Sequence, residues 1–279
     1  MIERDFERGT ALAPWLGEDP LTRGTMETLE TVALSRMSTM SRQMDIIANN
    51  IANVNTTGFK AARMYFSEYV QDAGEDSISY VYDYGTVRDY GNGPLEFTNN
   101  PLDVALDGEG FFVVQTPDGQ RYTRNGHFRL DEQRQLVATE DYEVEETIER
   151  RLVTTDGYPV MSAQGDAVVV ANAETMEISP DGVIKVNGAV LDRLQVVNFE
   201  NPQALEQAEA SLFKTDQVPV PTEGSKIIQG ALEVSNVQPI VELTQMIEIM
   251  RSFQASQKLI QDNDEAIRRA IQTIAGVTA

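Results

Sequence analysis

The sequence predicts an α+β protein in which long helices near both ends of the chain pair as a coiled-coil-like core and a central antiparallel β-rich domain lies between them. Two observations carry this prediction. Apolar residues recur with heptad spacing at both ends of the chain. In the middle the spacing changes to period two, with frequent turn signals. We therefore expect a disordered amino-terminal extension over 1–25, a discontinuous helical core formed by 26–75 with 226–279, and a β-rich domain over 76–225.

Both predicted helices carry an apolar stripe whose members alternate steps of four and three. A stripe of this kind is buried only by a partner helix, and because the two stripes have the same period we expect the helices to pack on each other. Two polar residues of the second stripe are candidates for fixing register. The predicted assembly seam consists of Met37, Met40, Met44, Ile47, Ile51, Val54, Leu243, Met246, Met250, Phe253, Gln257, Ile260, Asp264, Ile267, Ile271 and Ile274.

Capping residues predict where the two helices begin and end. Thr25 is a suitable cap for the first helix, and Gly58 is a suitable stop after it. The second helix is expected to run over 240–275, capped by Ser235 or Asn236 and stopped by Gly276. Because one apolar stripe weakly offsets the entropy of ordering a helix, we expect the helices to fold on association with neighbours, leaving a stable fragment of about residues 70–230 in the monomer.

The end of the first helix is unusually rich in asparagine, a poor helix former that competes for backbone hydrogen bonds. Two interpretations remain open. The segment is either a frayed helix end or a set of amides that bond across subunit contacts. The residues concerned are Asn49, Asn50, Asn53 and Asn55.

Turn sequences divide the middle of the chain into short predicted strands. The clearest turns are 116–119, 125–126, 179–182 and 187–188. A short helix is expected over 202–210. The segment 131–151 contains eight acidic residues and three arginines, which predicts a solvated excursion built as a hairpin.

The composition excludes several classes of partner and chemistry. With 44 acidic and 22 basic residues the net charge is −22, which repels nucleic acid and anionic lipid. The chain has no cysteine, so disulfides, thiolate catalysis and cysteine zinc sites are excluded. No run of about 18 apolar residues and no signal-peptide pattern occurs, so we expect neither membrane insertion nor a cleaved signal.

No residue pattern predicts an enzyme. The single histidine, His127, stands in a predicted strand and is interpreted as a half-exposed strand residue. Residues 108–110 lack the third glycine of a dinucleotide-binding loop, and residues 224–226 lack the first glycine of a phosphate-binding loop, so both segments are interpreted as turns. We therefore expect no catalytic residue and no cofactor.

Three acidic residues are candidates for a cation site. Asp103, Asp107 and Glu109 have suitable spacing for oxygen ligands, but no calcium-loop pattern follows them. Solvated turn acids are the favoured interpretation. The sequence predicts no metal site.

Two short motifs near the ends carry a family resemblance. Residues 48–60 read ANNIANVNTTGFK and residues 232–237 read LEVSNV, while 100–131 read NPLDVALDGEGFFVVQTPDGQRYTRNGHFRLD. These segments resemble the bacterial flagellar basal-body rod, hook and hook-associated family over roughly residues 28 to 275. The motif residues are Asn49, Asn50, Asn53, Asn55, Gly58 and Asn236.

The resemblance implies a structural subunit of the rod that crosses the periplasm, transmits torque and leaves the cell through the flagellar type III export apparatus. Implied partners are copies of the chain, the rod subunits FlgB, FlgC and FlgG, and the export apparatus. The sequences GPL at 93–95 and DGYPV at 156–160 favour a proximal-rod member over a distal-rod one. A soluble β-rich binding module with a helical stalk is the alternative from another class.

Two segments depart from the family pattern. Residues 1–25 are additional, and Met26 is a candidate start of translation. The acidic stretch near 138–150 has the character of an insertion.

Overall fold

The computed structural model describes residues 20–73, 76–138, 144–170, 175–209, 211–222 and 224–277. It confirms the α+β class, with a helix at each end of the chain and antiparallel β structure between them. Residues 1–19 of the predicted disordered extension lie outside the described residues. No helix among the described residues is long and apolar enough to cross a membrane.

The two helices begin earlier and end elsewhere than the capping residues predicted. The first, α1 (Pro20–Ala52), already contains Thr25, which is therefore not its cap. The second, α2 (Pro239–Val277), passes through Gly276, because one glycine costs a helix only about 1 kcal/mol. Proline suits the first position of α2, since its missing N–H would have no helical partner there.

Short strands fill the sequence between the helices and also enter the ranges predicted to be helical core. They are β1 (Ala62–Ala73), β2 (Asp76–Arg88), β3 (Leu95–Phe97), β4 (Val104–Asp107), β5 (Phe111–Thr116), β6 (Gly119–Thr123), β7 (Phe128–Ala138), β8 (Val144–Thr154), β9 (Met176–Ile178), β10 (Val183–Val186), β11 (Ala189–Arg193), β12 (Val196–Asn198), β13 (Glu206–Glu209), β14 (Leu212–Lys214), β15 (Val220–Pro221), β16 (Lys226–Gln229) and β17 (Ala231–Glu233).

The largest sheet has six strands in the order β13-β14-β6-β5-β12-β15. A second sheet has the order β11-β10-β9, and the remaining strands form the pairs β16-β4, β17-β3, β7-β8 and β1-β2. The predicted turn at 187–188 joins β10 to β11, and both of its residues have positive φ (50° and 83°), as a tight hairpin turn requires. The turn at 116–119 likewise joins β5 to β6.

Three sequence predictions within the β region have different outcomes. The acidic segment forms the predicted hairpin, β7 with β8, paired from Phe128 with Thr154 to Ala138 with Val144. The predicted helix over 202–210 is wrong, since a single 3-10 turn (Pro202–Ala204) precedes strand β13 at the sheet edge. The turn at 125–126 makes no hairpin, because β6 and β7 belong to different sheets.

The chain divides into two compact units. One, here called the β unit, comprises 42–66 and 83–250. The other comprises the described residues within 1–41, 67–82 and 251–279 and holds the greater part of both helices. The functional candidates below lie in the β unit.

Three apolar clusters form the core of the β unit. The largest is mainly aliphatic and lies around Phe112, Leu152 and Ile184. The second is aromatic, with the rings of Tyr122 and Phe199 only 4.7 Å apart between centroids. A small third cluster contains Phe59, Ala61 and Val237, with Val54 packed against it. This third cluster joins segments from the two ends of the chain.

Candidate functional site

The two terminal sequence motifs lie side by side in the β unit. The Gly58 N–H donates to the Glu233 carbonyl oxygen at 2.8 Å, and the Asn236 N–H donates to the Phe59 carbonyl oxygen at 3.4 Å. The first motif therefore ends α1 and enters β1 against the segment that joins β17 to α2. We call this contact, formed by residues 48–62, 89–93, Arg124 and 231–237, the motif junction.

A buried ion cluster occupies the centre of the motif junction. Lys60 Nζ is 2.6 Å from Glu233 Oε1, and Arg124 Nη1 is 3.3 Å from Glu233 Oε2. The three side chains are only 1%, 2% and 1% exposed for Lys60, Arg124 and Glu233 respectively. Lys60 also donates to the Gly91 carbonyl oxygen, and the Gly93 N–H donates to Glu233 Oε1, both at 2.8 Å. One carboxylate thus serves two buried cations.

Burial dominates the electrostatics of both cations. It lowers the pKa of Lys60 even though Glu233 attracts the charged form, and it lowers the pKa of the Arg124 guanidinium against the same attraction. The Arg124 guanidinium also lies 5.4 Å from the centre of the Phe111 ring. A cluster that costs this much desolvation is stable only with its partners in place, so it strongly couples the segments that supply them.

Asn50 connects the end of α1 to the start of β1. Its Nδ2 donates to the Ala62 carbonyl oxygen at 2.8 Å, and its Oδ1 accepts from the Ala62 N–H at 3.0 Å. The side chain is 1% exposed. Fraying is therefore the wrong interpretation at this position, because the amide satisfies both backbone groups of one residue within the chain.

The other motif asparagines at this helix end play smaller structural parts. Asn53 Nδ2 donates to the Asn49 carbonyl oxygen at 2.9 Å, and the Thr56 hydroxyl donates to Asn53 Oδ1 at 3.1 Å. Asn49 and Asn55 are exposed. A role for these amides in subunit contacts stays a prediction.

Asn236 is a linker rather than a helix cap. Its Oδ1 accepts from the Ala61 N–H at 2.7 Å, while its Nδ2 donates to the carbonyl oxygens of Asp89 at 2.8 Å and Gly91 at 3.2 Å. The predicted capping role for Asn236 or Ser235 is wrong, because α2 begins three or four residues later at Pro239.

Two glycines allow the segments of the motif junction to approach closely. Gly58 has φ of +70°, and a Cβ there would lie 2.5 Å from the backbone of Arg124 and Asn125. At Gly93 a Cβ would lie 1.9 Å from the Val234 carbonyl oxygen. A larger residue would push the first motif away from Arg124 at position 58, and would push the 89–93 segment away from the second motif at position 93.

Sequence reasoning did not identify Lys60, Arg124 and Glu233 as one group. A signal was available, because Lys60 and Glu233 are opposite charges, each standing within one of the two terminal motifs. Arg124 carried no comparable signal, since only the fold brings it to the cluster.

The side chains of the predicted assembly seam differ widely in solvent exposure. On α1 and just after it, Met40 and Ile47 are buried, whereas the other predicted seam residues are half-buried: Met37, Met44, Ile51 and Val54. On α2, the half-buried members are Met246, Phe253, Ile260 and Ile267, and the exposed members are Leu243, Met250, Gln257, Asp264 and Ile271. The side chain of Ile274 lies outside the described residues. Pairing along the seam stays a prediction.

The residues weighed as a cation site have separate surroundings. Asp103 is buried and accepts from Thr98 Oγ1 at 2.6 Å and Asn100 Nδ2 at 3.1 Å, so interpreting it as a solvated turn acid was wrong. His127 Nδ1 lies 2.6 Å from the Asp103 carboxylate. His127 is 47% exposed, as predicted, but just outside a named strand.

The other two acids, Asp107 and Glu109, are exposed. Glu109 accepts from Asn198 Nδ2 at 3.0 Å. In the described part of the chain, no three histidine or acidic side chains are grouped so that they could hold a metal ion.

Comparison with protein-family models gives three matches in order along the chain. The flagella basal body rod protein model matches residues 31–60, the flagellar hook protein FlgE/F/G D1 domain model matches 105–186, and the flagellar basal body rod FlgEFG protein C-terminal model matches 228–273. The first and last matches include the two segments that meet in the motif junction.

Curated relatives are similar over most of the chain. The flagellar basal-body rod protein FlgF of Caulobacter vibrioides is 32% identical, with 88% of this chain and 97% of the relative covered. FlgF of Mesorhizobium japonicum is 30% identical, with 87% and 96% covered. The rod protein FlgG of Buchnera aphidicola subsp. Acyrthosiphon pisum is 32% identical, with 82% and 93% covered.

Proposed function

This chain belongs to the flagellar basal-body rod protein family, and from that premise we propose that it is a FlgF-type subunit of the proximal rod. Membership makes it a structural subunit of the rod, located in the flagellar basal body. The motifs at 93–95 and 156–160 support the FlgF assignment, with a FlgG-type distal-rod subunit as the alternative. Three FlgF relatives match 87–90% of this chain, whereas five FlgG relatives match 82–85% of it.

The observation that carries the proposal is an exposed apolar face on the first turns of α2, within the β unit. Ile240 is 79% exposed, Leu243 50%, Ile247 51% and Met250 46%. Among the described side chains of α2, Glu242 alone is buried. A helix with this much exposed apolar surface is stabilised by packing against another chain, as a polymerising subunit provides.

The motif junction holds the start of α2, which carries the exposed apolar face, in a fixed position. The buried Lys60–Glu233 ion pair and the part-buried bond from the Ala61 N–H to Asn236 join the segment after α1 to the segment before α2. Force applied to either helix would therefore reach the β unit through short polar contacts, of which the Lys60–Glu233 pair is buried. This property suits a subunit that transmits torque.

Assembly would bring the predicted seam into use. We expect the terminal helices to pack as a coiled-coil-like core with those of neighbouring subunits, which include copies of the chain and the rod proteins FlgB, FlgC and FlgG. Export would occur through the flagellar type III apparatus. An enzymatic role has no support in the site chemistry, and the relatives named above are rod proteins.

Cryo-electron microscopy of basal bodies from cells with and without this chain tests the proposal. We expect its density at the proximal part of the rod, and rods that stop short when the chain is deleted. Density at the distal part would instead establish the FlgG-type alternative. Complete rods in the deletion strain would contradict a structural role in the rod.

The exposed face can be tested in the same strain. Replacing Leu243 and Met250 together by glutamate is expected to prevent rod completion without unfolding the subunit, because both side chains are about half exposed. Glu265→Gln on the same helix is a matched control, since its side chain is 71% exposed and, within the described residues, pairs with Arg269 alone. Normal rods with the double variant would exclude this face from assembly.

A further inference from the structure

A cleft of about 310 Å³ lies in the β unit where the end of α1, the start of β1 and the first turns of α2 come together. Its walls include the apolar side chains of Ile46, Ile47 and Ile249. Its acidic members are Glu242 and Glu248, both on α2. We call it the Glu242 cleft.

Glu242 is a buried carboxylate with an unsatisfied oxygen. Its side chain is 7% exposed, and Oε2 has no hydrogen-bond partner among the described residues. The first turn of a helix favours negative charge, which explains why an acid is tolerated at this position. The helix dipole supplies no donor to Oε2, however, and a buried carboxylate without donors is costly in a monomer.

The charged side chains around the cleft include one more acid than base, so one further cation would balance them. Glu242 and Glu248 contribute two negative charges, and Arg63 on the β1 side contributes one positive charge. Within the described residues, Arg63 forms no ion pair with either acid, and its side chain is exposed. A carboxylate only accepts hydrogen bonds, so a donor cation from outside the chain is the complementary ligand.

Building on the rod function proposed above, we propose that the Glu242 cleft receives an arginine side chain from α1 of a second copy of this chain, namely Arg36. The guanidinium offers five donors in a fixed fork and can serve both carboxylate oxygens at once. Its methylene stem can lie along the apolar walls of the cleft.

Charge and exposure single out Arg36 among the helix cations. Between residues 31 and 52, α1 carries Arg36 and Arg42 against the single acid Asp45, so this helix complements the acidic start of α2. The Arg36 side chain is exposed and has no ion pair or hydrogen bond in the described part of the chain, whereas Arg42, which is also exposed, already has an interaction within the chain. Basic residues of α2 have acids nearby on the same helix, as Arg269 does with Glu265.

A binding measurement on the full-length chain tests this contact. The probe is a fluorescently labelled peptide with the sequence of residues 31–52, titrated into wild-type protein and followed by anisotropy. We expect Glu242→Gln in the protein, or Arg36→Gln in the peptide, to weaken binding at least tenfold. Glu265→Gln, an exposed acid elsewhere on α2, should leave binding unchanged.

Urea unfolding of the same full-length variants separates a binding role from a structural one. Because Glu242→Gln removes an unpaired buried charge, we expect the monomer to be at least as stable as wild type. A purely structural carboxylate would instead lose stability on replacement.

Three results would overturn the proposal: no binding of the wild-type peptide, undiminished binding by Glu242→Gln, or a monomer destabilised by that replacement. None of these would affect the rod function, which is decided by whether the chain is found in basal bodies. Conversely, absence from basal bodies would reject the rod function whatever the peptide does.

Discussion

Replacing Glu233 is expected to cost much more stability than replacing Lys60, although the two side chains form one ion pair. The cluster contains two buried cations and one buried carboxylate. Glu233→Gln leaves Lys60 and Arg124 facing each other without their anion. Lys60→Met leaves an ion pair with no net charge, because Arg124 Nη1 still lies 3.3 Å from Glu233 Oε2.

The magnitudes follow from the groups left unsatisfied. Removing one partner of a buried ion pair costs about 3 to 5 kcal/mol, and this range applies to Glu233→Gln. Lys60→Met removes two hydrogen bonds, but the Gly91 carbonyl oxygen keeps Asn236 Nδ2 at 3.2 Å. We expect a loss of about 1 to 2 kcal/mol from that variant.

The pH dependence should also differ between the two variants. Burial holds the pKa of Lys60 below its ordinary value, so between the two values the unfolded chain binds more protons and stability rises with pH. Without the attraction of Glu233 the pKa of Lys60 in the folded protein falls further. The pH range over which stability rises therefore begins at a lower pH. Glu233→Gln should therefore regain part of its lost stability as the pH rises, whereas Lys60→Met removes this contribution of Lys60.

Urea unfolding of full-length monomer, followed by circular dichroism near pH 7 and again near pH 9, measures both effects. Glu96→Gln is the control, because Glu96 is exposed on β3 and lies opposite Leu232 beside the motif junction. Equal losses for Lys60→Met and Glu233→Gln would refute the charge argument. So would a Glu233→Gln variant whose loss relative to Lys60→Met does not shrink at the higher pH.

Four further outcomes are expected. Gly58→Ala should cost at least about 2 kcal/mol in urea unfolding, since the residue has positive φ and its Cβ would meet backbone at 2.5 Å. Asn50→Ala should cost about 2 kcal/mol by the same measurement, because both backbone groups of Ala62 lose a partner. Replacing Gln257 and Asp264 together by leucine should preserve helix content by circular dichroism yet impair swimming, so normal motility would contradict a register role. Limited proteolysis of the monomer should leave a fragment that includes residues 50 to 240, longer than the fragment of about 70–230 that the sequence predicts, because the ion cluster of the motif junction is buried within the β unit.

The fold class could be predicted because it depends on local periodicity. Heptad spacing indicated the two helices, and the asparagine and glycine at 187–188 indicated the β10–β11 hairpin. For residues 206–209 the prediction from local sequence was wrong. Their local sequence favours a helix, but the edge of β14 offers unpaired backbone groups, and the segment pairs with that edge instead.

Gly126 shows why a turn motif can mislead. The Asn-Gly pair was interpreted as a hairpin turn, yet the glycine is required because a Cβ there would lie 1.7 Å from the Val104 carbonyl oxygen. The constraint is a close approach between segments distant in sequence. Lys60 and Glu233, 173 positions apart, pose the same problem, since local patterns give each charge but only the tertiary fold pairs them.

The asparagine-rich helix end has a different meaning in the structure from the one its propensities suggest. Asn50 binds Ala62 as a neighbouring strand would, and Asn236 binds the next residue back, Ala61, from the other end of the chain. These bonds fix the chain between α1 and β1 without using any apolar surface of the helices. The apolar face at Ile240 and Leu243 therefore stays free for neighbouring subunits while the base of each helix is already held. Because the bonds of the motif junction form within one chain, we expect assembly to add contacts of the helices and of the Glu242 cleft without rearranging this junction.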